Sequence, residues 1–501
     1  MDLLVASDPA LPLRPAGRSS CYDTVVIGSG IGGCVTGALL AHAGQRVLVL
    51  EKNPVPGGIS AALRKHGFKL DMGSHLVSRG THGPLGRVLR RLELDRPRFL
   101  THRIPVRSRG MFDIAAPATR AGLPRTALEA CRKLGLSARE EASLARMVFQ
   151  MFTLTPLELR AWDRRTLDEF IREHTEHPGA YFLFAFLASI FFVLPPWEVA
   201  AGESIRCLRQ LLADYSLSYV EGGMDALTTS LLGCVTRGGG DVVVSARAAE
   251  VRRAGDRWKV TTVDGASYEA SAVACNVAPP DLLALVDARS LPAEYVNVLR
   301  AVRASGAAHQ LKLALRRPLV TEGCIIAGVS MQGRTLKDLS IELMRQTVEC
   351  IDVGRVSDPL AVYAPVPTNY DPSLAPEGGQ IIVASIYGPT RPDPADSADI
   401  WRERAIAAMA SIIPGLLDEI EFIEFVPIAG IGRWMGKSSC GAICNAQVPG
   451  QVGRDRLSVA TPLEGLFFCG DGAGGRGIGT ELAASSGMEA AAGILRLQRR
   501  R

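Results

Sequence analysis

Hydrophobic residues form a short continuous run near the start of the chain, and glycines follow it directly. Residues 22–27 are rich in β-branched side chains, as expected of a strand buried on both faces. Small apolar residues then continue from 31 to 43, which predicts a closely packed helix. A second apolar run, at 46–50, predicts a parallel strand beside the first. The pattern is therefore strand, glycine turn, helix, strand.

Further along, the spacing of apolar residues changes several times. Helical spacing from 124 to about 175 predicts a helical block, and alternation at 258–263 and 268–274 around Asp264-Gly265 predicts a β-hairpin. Residues 241–245 predict a further strand. In the segment 282–425, residues 309–315 and 380–387 predict strands, and 400–413 predict a helix. This mixture predicts a substrate domain of mixed sheet and helices, and no second nucleotide-binding fold.

The last part of the chain returns to the glycine pattern. Residues 465–469 predict a buried strand, Gly470-Asp471 follows it, and a helix of small residues begins at about Thr480. The start of a helix carries unpaired amides and the positive end of its dipole, so it suits negative charge. Two such helix starts, one near each end of the chain, predict one extended cofactor held at both of its ends.

Gly28, Gly30 and Gly33 stand in G-x-G-x-x-G register between the first predicted strand and helix. Here the first glycine allows the turn, the second lets the backbone approach a pyrophosphate, and the third lets the helix pack on the strand. Glu51 ends the second strand, where a carboxylate can accept hydrogen bonds from ribose hydroxyls. A dinucleotide site is predicted, the alternative being a glycine turn in another doubly wound domain. The second helix start favours FAD over NAD.

The composition of the chain limits the classes of partner and the cellular compartment that can be predicted for it. The chain has 501 residues, and 56 Lys and Arg against 51 Asp and Glu give a net charge of +5, so nucleic acid is not a predicted partner. Its 11 cysteines are scattered singly, which predicts reduced thiols and a cytoplasmic location. Residues 1–20 have no signal-peptide pattern and are predicted to be a disordered lead-in. No run reaches the ~20 apolar residues of a membrane span.

A phenylalanine-rich segment, residues 181–194, holds five of the chain's 15 Phe residues. A helix that is apolar on every side is either buried or in contact with lipid. Two hypotheses remain open for it. One is a core helix of the substrate domain, and the other is the wall of a lipophilic substrate tunnel or a surface that dips into a membrane. The second hypothesis adds peripheral membrane contact to the predicted cytoplasmic location.

Several motifs occur in a specific order: VVIGSGIGG with Glu51, the Gly57-Gly58 loop, LDMGSH, VEGGMDALTTSLL with RGGGDVVV, GRDRLS before GLFFCGD, and the closing glycine loop and helix. In these the chain resembles the FAD-dependent phytoene desaturase, carotenoid isomerase and retinol saturase family, within the amine-oxidase-like flavoprotein superfamily. The resemblance implies an α/β fold with a Rossmann-like FAD-binding domain of glutathione-reductase type, discontinuous in sequence, and an inserted mixed-sheet and helical substrate domain.

The resemblance also implies domain boundaries and cofactor contacts. The FAD-binding parts are 21–85, 215–281 and 426–501, and the substrate parts are 86–214 (helical) and 282–425 (mixed sheet). No metal ligand is predicted. The predicted cofactor-binding residues are Gly28, Gly30, Ile31, Gly32, Gly33, Glu51, Lys52, Gly57, Gly58, Gly73, Ser74, His75, Ala248, Gly470, Asp471, Gly477, Gly479 and Thr480. The closing loop, GDGAGGRGIGTELAAS, is arranged differently from that of the carotenoid desaturases and leaves the substrate open.

The resemblance implies that a hydride moves between a carbon of an apolar polyene or isoprenoid-like substrate and flavin N5, in desaturation, saturation or isomerisation. In such enzymes the protein supplies position, polarity and exclusion of water. His75 and Glu481 are the candidate catalytic residues; the alternatives are a structural hydrogen bond for His75 and a helix-dipole role for Glu481. Two alternative hypotheses for the function are an amine oxidase that uses oxygen and a non-catalytic prenyl-protein escort. The oligomeric state is not predicted.

Overall fold

The computed structural model describes residues 21–73, 75–111, 113–391 and 394–500. The predicted lead-in at 1–20 and the predicted cofactor residue Ser74 lie outside these ranges. As far as residue 101 the elements are β1 (Cys21–Ile27), α1 (Ile31–His42), β2 (Val47–Leu50), β3 (Ala62–Lys65), β4 (Phe68–Asp71), α2 (Pro84–Arg91) and β5 (Phe99–Thr101).

The middle of the chain is mainly helical. Its elements are β6 (Arg107–Gly110), β7 (Ile114–Ala115), α3 (Leu123–Leu134), α4 (Ala138–Thr153), α5 (Pro156–Trp162), α6 (Leu167–Arg172), α7 (Pro178–Phe192), α8 (Ala201–Asp214), β8 (Ser218–Val220) and α9 (Met224–Arg237). The remainder contains β9 (Asp241–Val243), β10 (Ala248–Ala254), β11 (Arg257–Thr262), β12 (Ser267–Cys275), α10 (Ala293–Ala301), β13 (Ala307–Leu315), β14 (Cys324–Val329), α11 (Ile341–Asp352), β15 (Leu360–Pro365), β16 (Gln380–Gly388), α12 (Ala398–Ile412), α13 (Leu416–Glu419), β17 (Ile420–Val426), α14 (Ile428–Met435), β18 (Leu466–Phe468) and α15 (Gly479–Gln498).

The first sheet contains the predicted strand–turn–helix unit. Its strand order is β10-β11-β12-β1-β2-β9, with β18 also paired to β12. Strands β18, β12, β1, β2 and β9 run parallel, and β10 and β11 add an antiparallel hairpin. Helix α1 packs on this sheet beside α9 and α15, in one hydrophobic core. The sheet thus joins three separate parts of the chain, as a discontinuous domain requires.

Two predicted strands of this sheet are longer than the strands observed. The strand predicted at 241–245 ends at Val243, because Ser245 has a φ of 54°, which is incompatible with extended backbone. The strand predicted at 465–469 begins at Leu466, because Gly465 has a φ of 87°. Both differences come from turn residues at the strand ends, where hydrophobicity alone is not informative.

The second sheet has the order β17-β13-β16-β15-β14-β6-β7 and is antiparallel except where β14 meets β6. Alternate residues of β13 serve different purposes, as the two-residue period of a strand dictates. Leu311 and Leu313 pack in a core with Trp401 of α12. Ala308 and Gln310, on the opposite face, border a large cavity. This sheet is the mixed sheet that the sequence predicted.

Helices α4 to α8 form a helical layer with its own hydrophobic core. The phenylalanine-rich segment lies mostly in α7, which ends where Val193 adopts a φ of 52°. Tyr181 and Phe192 are buried in that core, whereas Phe182 and Phe186 line the cavity. In the part of the chain described, no helix is long and apolar enough to cross a membrane.

Candidate cofactor and substrate cavity

A cavity of about 980 Å³ lies where the first sheet, the second sheet and the helical layer meet. On one side it reaches the carboxyl ends of β1 and β2, which in open parallel sheets is the usual edge for ligand binding. On the other side it extends between α7, α11 and the inner face of the second sheet. We call these two parts the cofactor half and the substrate arm.

The turn between β1 and α1 opens the cofactor half. Gly28 has a φ of 93°, which permits the turn, and a Cβ atom on Gly33 would lie 2.0 Å from the Gly28 carbonyl oxygen. The first amides of α1 have no partner within the helix. Gly28, Gly30, Ile31 and Gly32 line the cavity there. The Gly28 amide donates to the Leu50 carbonyl oxygen (2.7 Å) and the Gly30 amide to Asn276, so the amides left for an anion are those of the first residues of α1, Ile31 and Gly32.

Glu51 follows β2 and borders the same half, with only 4% of its surface exposed. One carboxylate oxygen accepts hydrogen bonds from the Ser29 amide (3.1 Å) and hydroxyl (2.6 Å). The other accepts from the Asn53 amide at 2.8 Å. A carboxylate has about four acceptor positions. The local loop therefore fixes Glu51 and still leaves acceptor capacity for hydroxyl groups in the cavity.

The closing glycine loop meets the first glycine turn directly. A Cβ atom on Gly32 would lie 2.5 Å from Gly470 Cα, so neither position has room for a side chain. Asp471 lines the cavity, and its Oδ2 accepts a hydrogen bond from the Cys444 amide (2.9 Å) and lies 3.9 Å from Lys437 Nζ. Gly479 and Thr480 bring the start of α15 to the wall. The two predicted helix starts thus face one cavity.

The substrate arm differs in composition. Most of its wall is apolar, formed by Phe182, Ala185, Phe186, Ile190, Phe191, Leu339, Leu343, Met344, Val348 and Ile351. Its polar side chains carry neutral hydroxyl or amide groups: Ser189, Gln310, Thr347, Tyr363, Ser385 and Tyr387. Among the described residues, every charged side chain that lines the cavity belongs to the cofactor half: Glu51, Lys52, Arg247, Asp281, Arg433, Lys437 and Asp471.

A family model described as flavin containing amine oxidoreductase matches residues 31–495, nearly the whole chain. The chain belongs to this family. The prediction of FAD as the cofactor and that of an FAD-dependent oxidoreductase are confirmed at the level of the family.

Curated relatives match over one short segment only. A chloroplastic prolycopene isomerase of Daucus carota is 52% identical over 61 residues, which is 12% of this chain and 10% of the relative. The all-trans-retinol 13,14-reductase of Homo sapiens is 46% identical over 67 residues, 13% of this chain and 11% of the relative. The match thus spans about a tenth of the length of either relative.

Solved structures share the fold over nearly the full length. An oxidoreductase from Methanosarcina mazei has a TM-score of 0.68 at 19% identity and covers 93% of this chain and 99% of its own. Wild-type putrescine oxidase bound to putrescine has a TM-score of 0.67 at 15% identity and covers 95% and 99%. These likenesses show the fold, a Rossmann-like FAD-binding domain with an inserted substrate domain.

The cavity of this flavoprotein fits FAD at both ends. Glycine backbone and the first turn of α1 suit a pyrophosphate, Glu51 suits a ribose, and the start of α15 suits a partial negative charge. The predicted cofactor residues that line the cavity are Gly28, Gly30, Ile31, Gly32, Glu51, Lys52, Gly58, Gly73, His75, Ala248, Asp471, Gly479 and Thr480.

Four other predicted cofactor residues do not line this cavity. Gly33 and Gly470 lie behind the wall and are needed for close backbone packing. Gly57 has a φ of 113° and donates its amide to Ser29 Oγ (2.9 Å), so it supports the loop around Glu51. Gly477 borders a second, much smaller cavity. Gly33, Gly57 and Gly470 therefore shape the site without lining it.

Asn276 is a residue that the sequence analysis missed. It follows β12 directly and lines the cavity. With its amide nitrogen toward the Cys469 carbonyl oxygen (2.7 Å), its oxygen accepts from the Gly30 amide (3.2 Å). It thus joins the ends of two strands to the start of α1. The available signal was a polar residue immediately after a buried strand.

His75 lies at the cavity wall, as predicted. Its Nδ1 lies 2.9 Å from the Gly73 carbonyl oxygen and donates to it in the neutral tautomer that leaves Nε2 as the acceptor. Burial lowers the pKa of His75 to about 4, despite the hydrogen bond to Gly73, which raises it. The side chain is therefore neutral at pH 7, and its structural hydrogen bond is present.

Glu481, the other candidate catalytic residue, is not brought to the large cavity. It borders a cavity of about 10 Å³ with Arg79 and Gly477, and its Oε1 has no hydrogen-bond partner among the described residues. Burial raises its pKa. The reason for its position is helical rotation: Glu481 follows Gly479 and Thr480 in the first turn of α15 and points to a different side.

Proposed function

We propose that the protein acts on a carbon–carbon bond of a neutral, lipophilic polyene or isoprenoid-like substrate, by desaturation, saturation or isomerisation. When bound, FAD supplies hydride transfer for such a reaction. The observation that carries the proposal is the substrate arm. It is continuous with the cofactor half, and no charged side chain lines it among the described residues.

The residues of the substrate arm would bind the substrate by excluding water and by fitting its shape. Phe182 and Phe186 stack with ring centroids 5.5 Å apart on one wall. On the facing wall, Gln310 of β13 donates to Ser385 Oγ (2.8 Å) of the neighbouring strand β16, so these two polar side chains are hydrogen-bonded to each other. Burial raises the pKa of both Tyr363 and Tyr387, which keeps the phenols protonated. Such phenols can donate hydrogen bonds to a substrate oxygen, but they provide no charge.

His75 is placed near the junction of the two halves as a neutral group. It contributes a proton acceptor at Nε2 and holds the Gly73 loop through Nδ1. Desaturation removes a hydride and a proton from the substrate and saturation adds both, so besides the flavin one group that can accept or supply a proton, such as the neutral imidazole or a water molecule, is enough. The relatives support this choice of substrate class, since one is a prolycopene isomerase and another an all-trans-retinol 13,14-reductase.

Amine oxidation is the second candidate, favoured by the fold shared with putrescine oxidase and by the family description. An amine that carries an ammonium group would enter an arm with no described carboxylate at its wall. An unpaired charge in an apolar site costs several kcal/mol. The arm therefore favours the neutral substrate.

The test begins with the purified holoprotein. Lipophiles that co-purify are extracted and identified by mass spectrometry, and the protein is then incubated with isoprenoids and polyenes in both flavin oxidation states. We expect a changed number or geometry of double bonds in at least one polyene. No change in any of them, together with peroxide release on addition of amines, would replace this proposal by the second candidate.

For membrane contact, we propose helices α4 and α5 instead of α7. Phe149 and Phe152 of α4 and Leu157 of α5 are 70%, 47% and 74% exposed, whereas the Phe side chains of α7 are buried or half-buried. Flotation with anionic vesicles tests this. We expect Phe149→Ser with Phe152→Ser to reduce the bound fraction, and an unchanged fraction would contradict it.

A further inference from the structure

The end of α14 and the residues after it cross the cavity between the two sheets. Every residue from 431 to 438 lines the cavity. At the upstream end, the Ile428 amide donates to His309 Nδ1 (3.4 Å) of the second sheet. At the downstream end, the Ser438 amide donates to Asp281 Oδ2 (3.1 Å), on the side of the first sheet. We call residues 428–438 the strap.

Near its middle, the strap is fastened to the loop that carries Glu51. Lys52 Nζ donates to the carbonyl oxygens of Trp434 (2.6 Å) and Arg433 (3.1 Å). Asn53 Nδ2 donates to the Trp434 carbonyl oxygen (3.0 Å). The last carbonyls of a helix have no partner within it and form the negative end of its dipole. The Lys52 ammonium is therefore well placed to hold the end of α14.

A side chain of the strap makes a further hydrogen bond to the loop after Glu51. The indole Nε1 of Trp434 donates to the Gly58 carbonyl oxygen (2.8 Å). Gly436 is shaped for the arrangement, because it has a φ of 67° and its missing Cβ would lie 2.4 Å from Lys52 Cε. The strap and Lys52 thus fit each other closely.

We infer that the strap closes over bound FAD and that Lys52 and Trp434 are its latch, so that the latch sets the rate of FAD exchange. Asn53 connects the latch to the cofactor site, because its backbone amide donates to Glu51 (2.8 Å). Lys52 was predicted to contact FAD. Lys52 lines the cavity, and its ammonium donates to the strap, so the inference assigns it the role of a positioning residue. The inference depends on FAD as the cofactor and is independent of the substrate.

The test measures FAD release from the holoprotein by flavin fluorescence, without any substrate. Lys52→Met keeps the length of the side chain and removes the ammonium, and Trp434→Phe keeps a ring and removes the N–H. We expect release about tenfold faster for Lys52→Met and about threefold faster for Trp434→Phe, because a hydrogen bond from a charged group contributes more than a neutral one. Lys65→Met is the matched control, since Lys65 bridges to Glu424 and makes no contact with the strap; its release rate should change less than about twofold.

Two further readouts separate a latch from a direct FAD contact. Hydrogen exchange of residues 428–438 in the holoprotein should rise in both latch variants. The double variant should release FAD little faster than Lys52→Met alone, because residues that act on one element are not additive. Multiplying effects, or faster release without faster exchange, would overturn the inference. If Lys52→Met fails to fold, Trp434→Phe decides: unchanged release and exchange would overturn it.

Discussion

The two halves of the cavity recognise ligands by different physical means. The cofactor half presents helix starts, glycine backbone and all the charged side chains described at the wall, so it can distinguish a dinucleotide by charge and hydroxyl pattern. The substrate arm presents rings, aliphatic groups and neutral hydroxyls, so it discriminates mainly by size and polarity. The site therefore specifies its cofactor tightly and its substrate only as a class.

We expect the largest loss of FAD binding when a glycine that packs directly against backbone is replaced by a residue with a side chain. In Gly33→Ala the new Cβ would lie 2.0 Å from the Gly28 carbonyl oxygen, and this contact cannot relax without moving β1 or α1. We expect FAD affinity, measured by titration of the apoprotein, to fall about a hundredfold or more. Gly233→Ala on α9 is the control, because its Cβ meets only the flexible end of Arg237 at 3.1 Å. Normal affinity in Gly33→Ala would contradict the tight packing.

A charge placed in the substrate arm should separate the two halves. Phe186→Asp puts a carboxylate into the apolar wall without a described cationic partner. Binding of a fluorescent polyene should weaken about thirtyfold, because an unpaired charge opposes an apolar ligand. FAD content should stay normal, as it should in the exposed control Phe149→Asp. Loss of FAD with unchanged polyene binding would reverse the assignment of the halves.

Glu51→Gln tests how much the negative charge of Glu51 contributes to FAD binding. The amide keeps the shape of the side chain but removes the charge and one acceptor face near Ser29 and Asn53. We expect FAD to bind about tenfold more weakly, in line with a hydrogen bond to a charged group. Asp23→Asn, which alters an exposed carboxylate that accepts from the Arg46 amide, should leave the affinity unchanged. Equal effects in the two variants would mean that Glu51 acts only through overall charge.

His75, at the junction, should give the smallest effect, a dependence of stability on pH. Burial lowers the folded pKa of His75 to about 4 from the usual histidine value of 6.5, so between these values the unfolded chain binds the proton and the folded chain does not. Stability is therefore lost as the pH falls from 6.5 toward 4. We expect the holoprotein to lose about 1 kcal/mol more than His75→Gln between pH 8 and pH 6, measured by urea unfolding. Identical losses would show that His75 is charged in the folded state.

The cofactor half could be predicted largely from the sequence because its logic is local. Gly28, Gly33 and Glu51 lie within one strand–turn–helix–strand unit, and their spacing alone indicates the site. Glu481 shows the limit of this approach, since a rotation of about 100° per helical residue took it to a different cavity from Thr480.

The substrate arm could be predicted only in part. The phenylalanine-rich segment indicated an apolar wall, but its opposite wall comes from α11 and the inner face of β13, β15 and β16, far away in sequence. Arg433 and Trp434 were expected to border the pocket, but Asn276 and the contacts that hold the strap were missed for the same reason. Their importance arises from contacts with Gly30, Lys52 and Gly58, which no spacing rule connects.

The preference for a neutral polyene over an amine is tested by an anaerobic mixing experiment on the holoprotein, in its oxidised and its chemically reduced form. Each form is mixed with a panel of polyenes and, separately, with putrescine, while flavin absorbance and the double bonds of the products are followed. We expect that a polyene is desaturated, saturated or isomerised in at least one form and that putrescine leaves the oxidised flavin unchanged. Reduction of the flavin by putrescine, with every polyene recovered intact, would contradict it.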